Sequence, residues 1–176
     1  MLIACHLFSG LIAGLFLQDR FHSPRAVPVC LLGSVLPDLI DKPLGFIIFP
    51  ATGDGRLIAH ALAGLIIIGI MAAVLLRDPI SAIALVTGVA LHQVLDAMWD
   101  LPVNWFYPLL GPFPVFIQED YFQWGLIREL TTPSEWAFAA VILILFWQYR
   151  GQPGGIRLFP ALLSGVPAIL LLIAGR

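Results

Sequence analysis

Leu91-His92-Gln93-Val94-Leu95-Asp96 closes an apolar run that begins near Ile80, and how this run is read decides the fold. In a helix, four-residue spacing puts His92 and Asp96 one turn apart on one face. An imidazole and a carboxylate in that register suit a divalent metal of the zinc type. The plainer use of the pair is a hydrogen bond that steadies two packed helices. Followed to Trp99, the run approaches the ~20 residues that a bilayer core requires.

Comparable runs extend from about Leu2 to Leu17, from Ala26 to the break at Pro37-Asp38-Leu39-Ile40-Asp41-Lys42-Pro43, and from about Leu57 to Leu76. Two more run from about Pro133 to Tyr149 and from about Leu158 to Ala174. The short tail Leu44–Phe49 is expected to fold back at the interface. Composition agrees: of 176 residues, 60% are hydrophobic and 11% charged, with mean hydropathy +0.95. A soluble domain of this length could not hide so much apolar surface. The expected fold is all-α, a polytopic transmembrane bundle of about six hydrophobic helical segments in one domain spanning 1–176. Residues 1–100 form its site-bearing half, and 133–176 its scaffold helices. Residues 100–132 mix prolines with aromatics, which suits an interfacial loop in the headgroup region.

A net charge of −2 and the absence of a basic run exclude nucleic acid as an expected partner; membrane lipids are the partners implied. Met1-Leu-Ile-Ala starts apolar without a positive n-region, as a retained helix does rather than a cleaved signal peptide. Cys5 and Cys30 lie near the beginnings of the first two runs. Antiparallel helices would hold them at opposite faces, so both read as small buried hydrophobes. Loops after the first, third and fifth helices carry Arg20, Arg25, Arg77, Arg150 and Arg157, against Lys42, Arg56, Arg128 and Arg176 on the other side. This mild bias predicts a multi-pass protein of the inner cell membrane with both termini outside.

Ionisable groups within such segments are few and mark function. They are His6, Asp38, Asp41, His60, His92 and Asp96. In an up-and-down bundle the starts of odd helices and the ends of even helices share a face. All six therefore converge on one side, expected to be extracytoplasmic. Asp38 and Asp41, at i, i+3, repel unless a cation lies between them. Three imidazoles and three carboxylates suffice for one or two divalent ions, zinc first, with manganese or iron as alternatives. Such a site suits attack of a metal-activated water on a phosphoester, with a lipid headgroup as one substrate. Arg56, one turn before His60, is the expected holder of an anionic substrate group.

Leu36-Pro37-Asp38-Leu39-Ile40-Asp41, the Arg–His element ending in His60, His6 in the first helix and Leu91–Asp96 together resemble the YdjM-like family of small prokaryotic membrane-bound metal-dependent hydrolases. The resemblance covers roughly the first hundred residues. It implies a metal-dependent hydrolase of the cell membrane, with a distant likeness to zinc-dependent phospholipase C. The family's middle element reads His-Arg-Gly-x-Thr-His-Ser; here Gly55, Leu57, Ala59 and Ala61 replace its first His, Gly, Thr and Ser. One family ligand is therefore absent.

Two other functions fit the same residues. A transporter or metal-permeation protein would place acids near the midplane and on both faces, whereas here they gather at one end. In a catalytically silent scaffold, the polar cluster would only fix helix packing.

Overall fold

The computed structural model describes residues 3–49, 55–114, 123, 127–128 and 130–149. The expected sixth helix, residues 158–174, and residues 115–122, 124–126 and 129 of the 100–132 loop lie outside them. The described chain is helical: α1 (Ile3–Phe21), α2 (Ala26–Pro43), α3 (Leu62–Leu75), α4 (Pro79–Leu95), a short α5 (Pro102–Trp105) and α6 (Pro133–Tyr149). α2 packs against both α1 and α4; α4 also meets α3, and α1 also meets α6.

The tightest crossing is that of α2 with α4. A Cβ built on Gly88 would fall 2.7 Å from the Ser34 backbone nitrogen, and one on Gly33 would fall 3.2 Å from Gly88 Cα. Backbone lies against backbone there, so only glycine fits at either position. Cys30, beside this crossing, is a free thiol buried with Leu17, Ala26 and Ala84. Cys5 is also free.

The all-α expectation holds, but the transmembrane bundle does not. No helix among the described residues is long and apolar enough to cross a membrane. α3 has 14 residues, about 21 Å at 1.5 Å per residue, against a hydrocarbon core of ~30 Å. It begins at Leu62 rather than Leu57 because the amides of Leu57, Ala59 and His60 all donate to the Asp41 carboxylate. α4 stops at Leu95 rather than Trp99, since Ala97 turns into the left-handed region at φ 52°. Meanwhile α1 and α2 extend through their polar ends. α1 takes in Gln18, Asp19 and Arg20; α2 continues past Pro37, Asp38, Asp41 and Lys42 to Pro43. Leu44–Ile48, expected to fold back, instead prolongs α2 as a wider π turn. The polar groups thus trim two helices and dilute the other two.

α6 was expected to be plain scaffold. Its Glu135 is buried, and its two carboxylate oxygens accept the Ala4 and Cys5 amides at 2.7 and 3.2 Å. An acid there satisfies orphan donors at the start of α1 and complements the helix dipole. Glu135→Ala is expected to lower stability by about 1–3 kcal/mol, read as a shift in the thermal unfolding midpoint. An unchanged midpoint would remove this role.

α3 presents an apolar face outward, with Ile66, Ile70, Val74 and Leu75 all exposed. Apolar surface on this scale marks contact with a partner or a membrane.

Candidate metal centre

The centre begins at the end of α2. Asp41 is fully buried and folds the 55–61 loop back over itself. Its Oδ2 accepts the Leu57 and His60 amides at 2.8 and 3.0 Å, and its Oδ1 accepts the Ala59 amide at 3.0 Å. The same Oδ2 meets His60 Nδ1 at 2.8 Å. Asp41 therefore fixes both the loop and the ring that the loop carries.

Two amides brace the loop from outside. The Gln93 amide donates to the Ala59 and Ala61 carbonyls at 3.2 and 3.1 Å, and its oxygen accepts from the Trp105 indole at 3.1 Å. Asn104 donates to the Arg56 carbonyl at 2.9 Å. Sequence reasoning passed over all three. The one available signal was Gln93, a primary amide inside an apolar helix, which must find partners when buried.

His92 Nδ1 lies 2.7 Å from the Ser34 carbonyl oxygen. A carbonyl only accepts, so Nδ1 carries the hydrogen. His60 Nδ1 faces a carboxylate and carries its hydrogen for the same reason. In the neutral rings both Nε2 atoms then hold lone pairs, and they face each other at 3.1 Å. Two bare lone pairs repel at that separation, so a cation, either a shared proton or a metal ion, belongs between them.

Carboxylates surround this gap. Asp38 Oδ1 lies 3.6 Å from His60 Nε2 and 3.8 Å from His92 Nε2. Asp96 Oδ2 lies 3.8 Å from His60 Nε2, while its Oδ1 is 3.3 Å from His6 Nε2. The His6 ring lies over that of His92, with centroids 4.2 Å apart. Each carboxylate also meets a base: Lys42 pairs with Asp38 Oδ2, and Arg56 Nε donates to Asp96 Oδ2 at 3.2 Å. The three imidazoles are buried, whereas Asp38, Lys42 and Arg56 are partly exposed and form the open side.

Electrostatics follow from this packing. Burial pulls the His60 pKa down, but its bonds to Asp38 and Asp41 and the nearby Asp96 charge outweigh it, leaving the pKa raised. Burial pushes Asp96 up, yet the His6 contact and the Arg56 charge hold it well below the usual carboxylate range.

Two sets of ligand atoms are close enough to hold an ion: His6, His92 and Asp96, and Asp38, His60 and His92. Within each set the atoms lie within 4.8 Å of one another, and His92 belongs to both. The donors fit a zinc-type ion. Two nitrogens each ~2.0–2.1 Å from one tetrahedral ion stand about 3.3 Å apart, close to the observed Nε2 separation. Asp41 belongs to neither set. Arg56 borders the centre through Asp96.

Neither a curated protein nor a solved structure matches the chain. A family model described as "YdjM inner membrane protein" matches residues 1–174. That match spans nearly the whole sequence, well beyond the motifs of its first hundred residues, and the chain therefore belongs to the YdjM inner membrane protein family.

Proposed function

We propose that the chain is a metal-dependent hydrolase that cleaves a phosphoester. The observation that carries this reading is the facing pair of His60 and His92 Nε2 atoms, each with its Nδ1 held by an acceptor and both walled by Asp38 and Asp96. An Nδ1–H bound to a carboxylate or carbonyl is the arrangement that orients metal-binding histidines and raises their basicity. A bound zinc-type ion would supply Lewis acidity and lower the pKa of water.

His6, His92 and Asp96, with Asp38 and His60, would hold the ion; Asp41 acts as a positioning residue for His60. Arg56 and Lys42 stand where the centre opens. There they balance the carboxylates and can hold the anionic oxygens of a phosphoester.

Metal analysis after gentle extraction tests the reading. Wild type should carry one or two equivalents of zinc, manganese or iron, and Asp38→Ala should carry fewer at an unchanged helical content. Hydrolysis of bis(p-nitrophenyl) phosphate should follow the metal. A metal-free wild type that stays metal-free on titration would leave the cluster as a packing device.

The raised pKa of His60 gives a second check. In metal-free protein, the protonated ring contributes stability that is fully present below its unfolded value of about 6.5 and lost as pH rises through the raised folded value. A metal ion competes with that proton, so its affinity climbs over the same interval. The lowered Asp96 pKa acts only in acid and does not enter this window. His92, pulled down to about 4 by burial and the neighbouring imidazoles, acts below about 6.5, so it is above that pH that unfolding midpoints of chelator-treated protein should fall while those of zinc-loaded protein rise. Parallel trends would take His60 out of the ligand set.

A further inference from the structure

A groove of about 580 Å³ follows α1. Cys5, Phe8, Ile12 and Phe16 of α1 line it, together with Leu91 and Leu95 of α4. Phe138 of α6 completes a wall with Phe8, their rings 5.2 Å apart. Ser9 also lines it, but its hydroxyl donates to the His6 carbonyl at 2.8 Å and is engaged within the helix. From Cys5 to Phe16, at 1.5 Å per residue, the groove extends about 16 Å. Its volume is that of a small-molecule site, but its lining offers a ligand only apolar contact.

One end of the groove abuts the candidate centre. Cys5 precedes His6, Leu91 precedes His92, and Leu95 precedes Asp96. His6 and Asp96, 3.3 Å apart in the centre, are thus chain neighbours of the groove lining. In that centre the cations Arg56 and Lys42 pair with Asp96 and Asp38. A long apolar slot next to a polar centre that carries Arg56 and Lys42 matches an amphiphile with one phosphate-bearing end. A soluble phosphoester would leave the slot idle. The family is one of inner membrane proteins, so such amphiphiles lie at hand.

We propose that this groove seats one acyl chain of a phosphate-bearing membrane lipid, with the headgroup phosphate turned toward the centre. The head-end chemistry rests on the hydrolase reading above; the acyl site itself is a separate matter of binding. The test uses the full chain in dodecyl maltoside, with and without zinc, and phosphatidic acid carrying a diazirine on its acyl chain.

After photolysis, peptide mapping should find saturable label within residues 5–16 and 91–95, competed by excess dioleoyl phosphatidic acid. Ser9→Trp, which fills the groove, should lower that label about tenfold, and Leu91→Trp should do the same from the opposite wall. Ile70→Trp on the exposed face of α3 should leave it unchanged. Label spread over α3 in proportion to its exposed surface would overturn the proposal. So would an unlabelled groove, whether the chain's own residues or a second copy fill it. Groove label that survives in a wild type unable to bind metal would keep the acyl site and sink the hydrolase reading. Bound metal without groove label would do the reverse, leaving a water-soluble phosphoester as substrate.

Discussion

Asp41→Ala is expected to unfold the 55–61 loop and to bring the whole protein close to its stability limit. The carboxylate accepts three backbone amides and one imidazole, all inside the protein. Alanine leaves those four donors without their acceptor. A buried donor left unsatisfied costs about 1–3 kcal/mol, so four approach the entire 5–15 kcal/mol that holds a typical domain together. Water entering the vacated space offsets part of this, and the loop is better placed to admit it than a core helix would be. The unfolding midpoint should drop far more for Asp41→Ala than for Glu135→Ala, which frees only two amides. Asp41→Asn separates charge from shape. It keeps one accepting oxygen but turns an NH₂ toward a donor, so an intermediate midpoint and a weakened metal response are expected. Wild-type melting of Asp41→Ala would show that the loop is held by Gln93 and Asn104 alone.

The same residue shows how far the sequence can be read. The i, i+3 spacing of Asp38 and Asp41 says that both leave α2 on one side, which the structure shows. It cannot say that one of them faces the Nε2 atoms of two imidazoles while the other takes up the amides of a loop sixteen to nineteen residues away. That depends on where α3 begins, and apolar composition across Leu57–Ala61 hides the start. His92 and Asp96 were legible because their spacing is local to one helix. Their meeting with His6, His60 and Asp38 was legible because chain reversal brings the ends of neighbouring helices together. Gln93, Asn104 and Trp105 were not, since two of them grip loop carbonyls that any residue could supply. Glu135 was hidden by distance, its partners lying 130 and 131 residues earlier.

Composition misled in the opposite sense. A mean hydropathy of +0.95 describes the sum of the helices and says nothing of the length of each. A helix whose first turn is pulled away to satisfy a carboxylate loses about 1.5 Å of span per residue without any change in composition. The apolar surface is nevertheless present, on the outer face of α3 among other places, and fits a protein of an inner membrane family.

His92→Ala is expected to abolish metal binding whichever of the two ligand sets is occupied, which no other single replacement in the cluster should do. His92 is the residue common to both ligand sets, so its loss leaves one set as His6 and Asp96 and the other as Asp38 and His60. Two protein ligands hold a zinc-type ion poorly, since structural sites use four and catalytic sites three. Even outer partners of such ligands matter by about 10–100-fold in affinity, and removing a ligand should exceed that. Asp38→Ala and Asp96→Ala each touch one set. If two ions bind, each of these should halve the metal content; if one binds, only the variant in its own set should lose it. The three titrations together therefore count the ions and locate them. His92→Ala also opens a cavity beside the α2–α4 crossing and removes the bond to the Ser34 carbonyl, so a lower unfolding midpoint is expected without metal. What separates a ligand from a packing residue is the response to zinc. Wild type should gain stability as zinc is added, by an amount that grows with its concentration, whereas His92→Ala should gain none. A variant that still gains as much as wild type would mean that the facing Nε2 atoms share a proton, and that the cluster is held together without a metal.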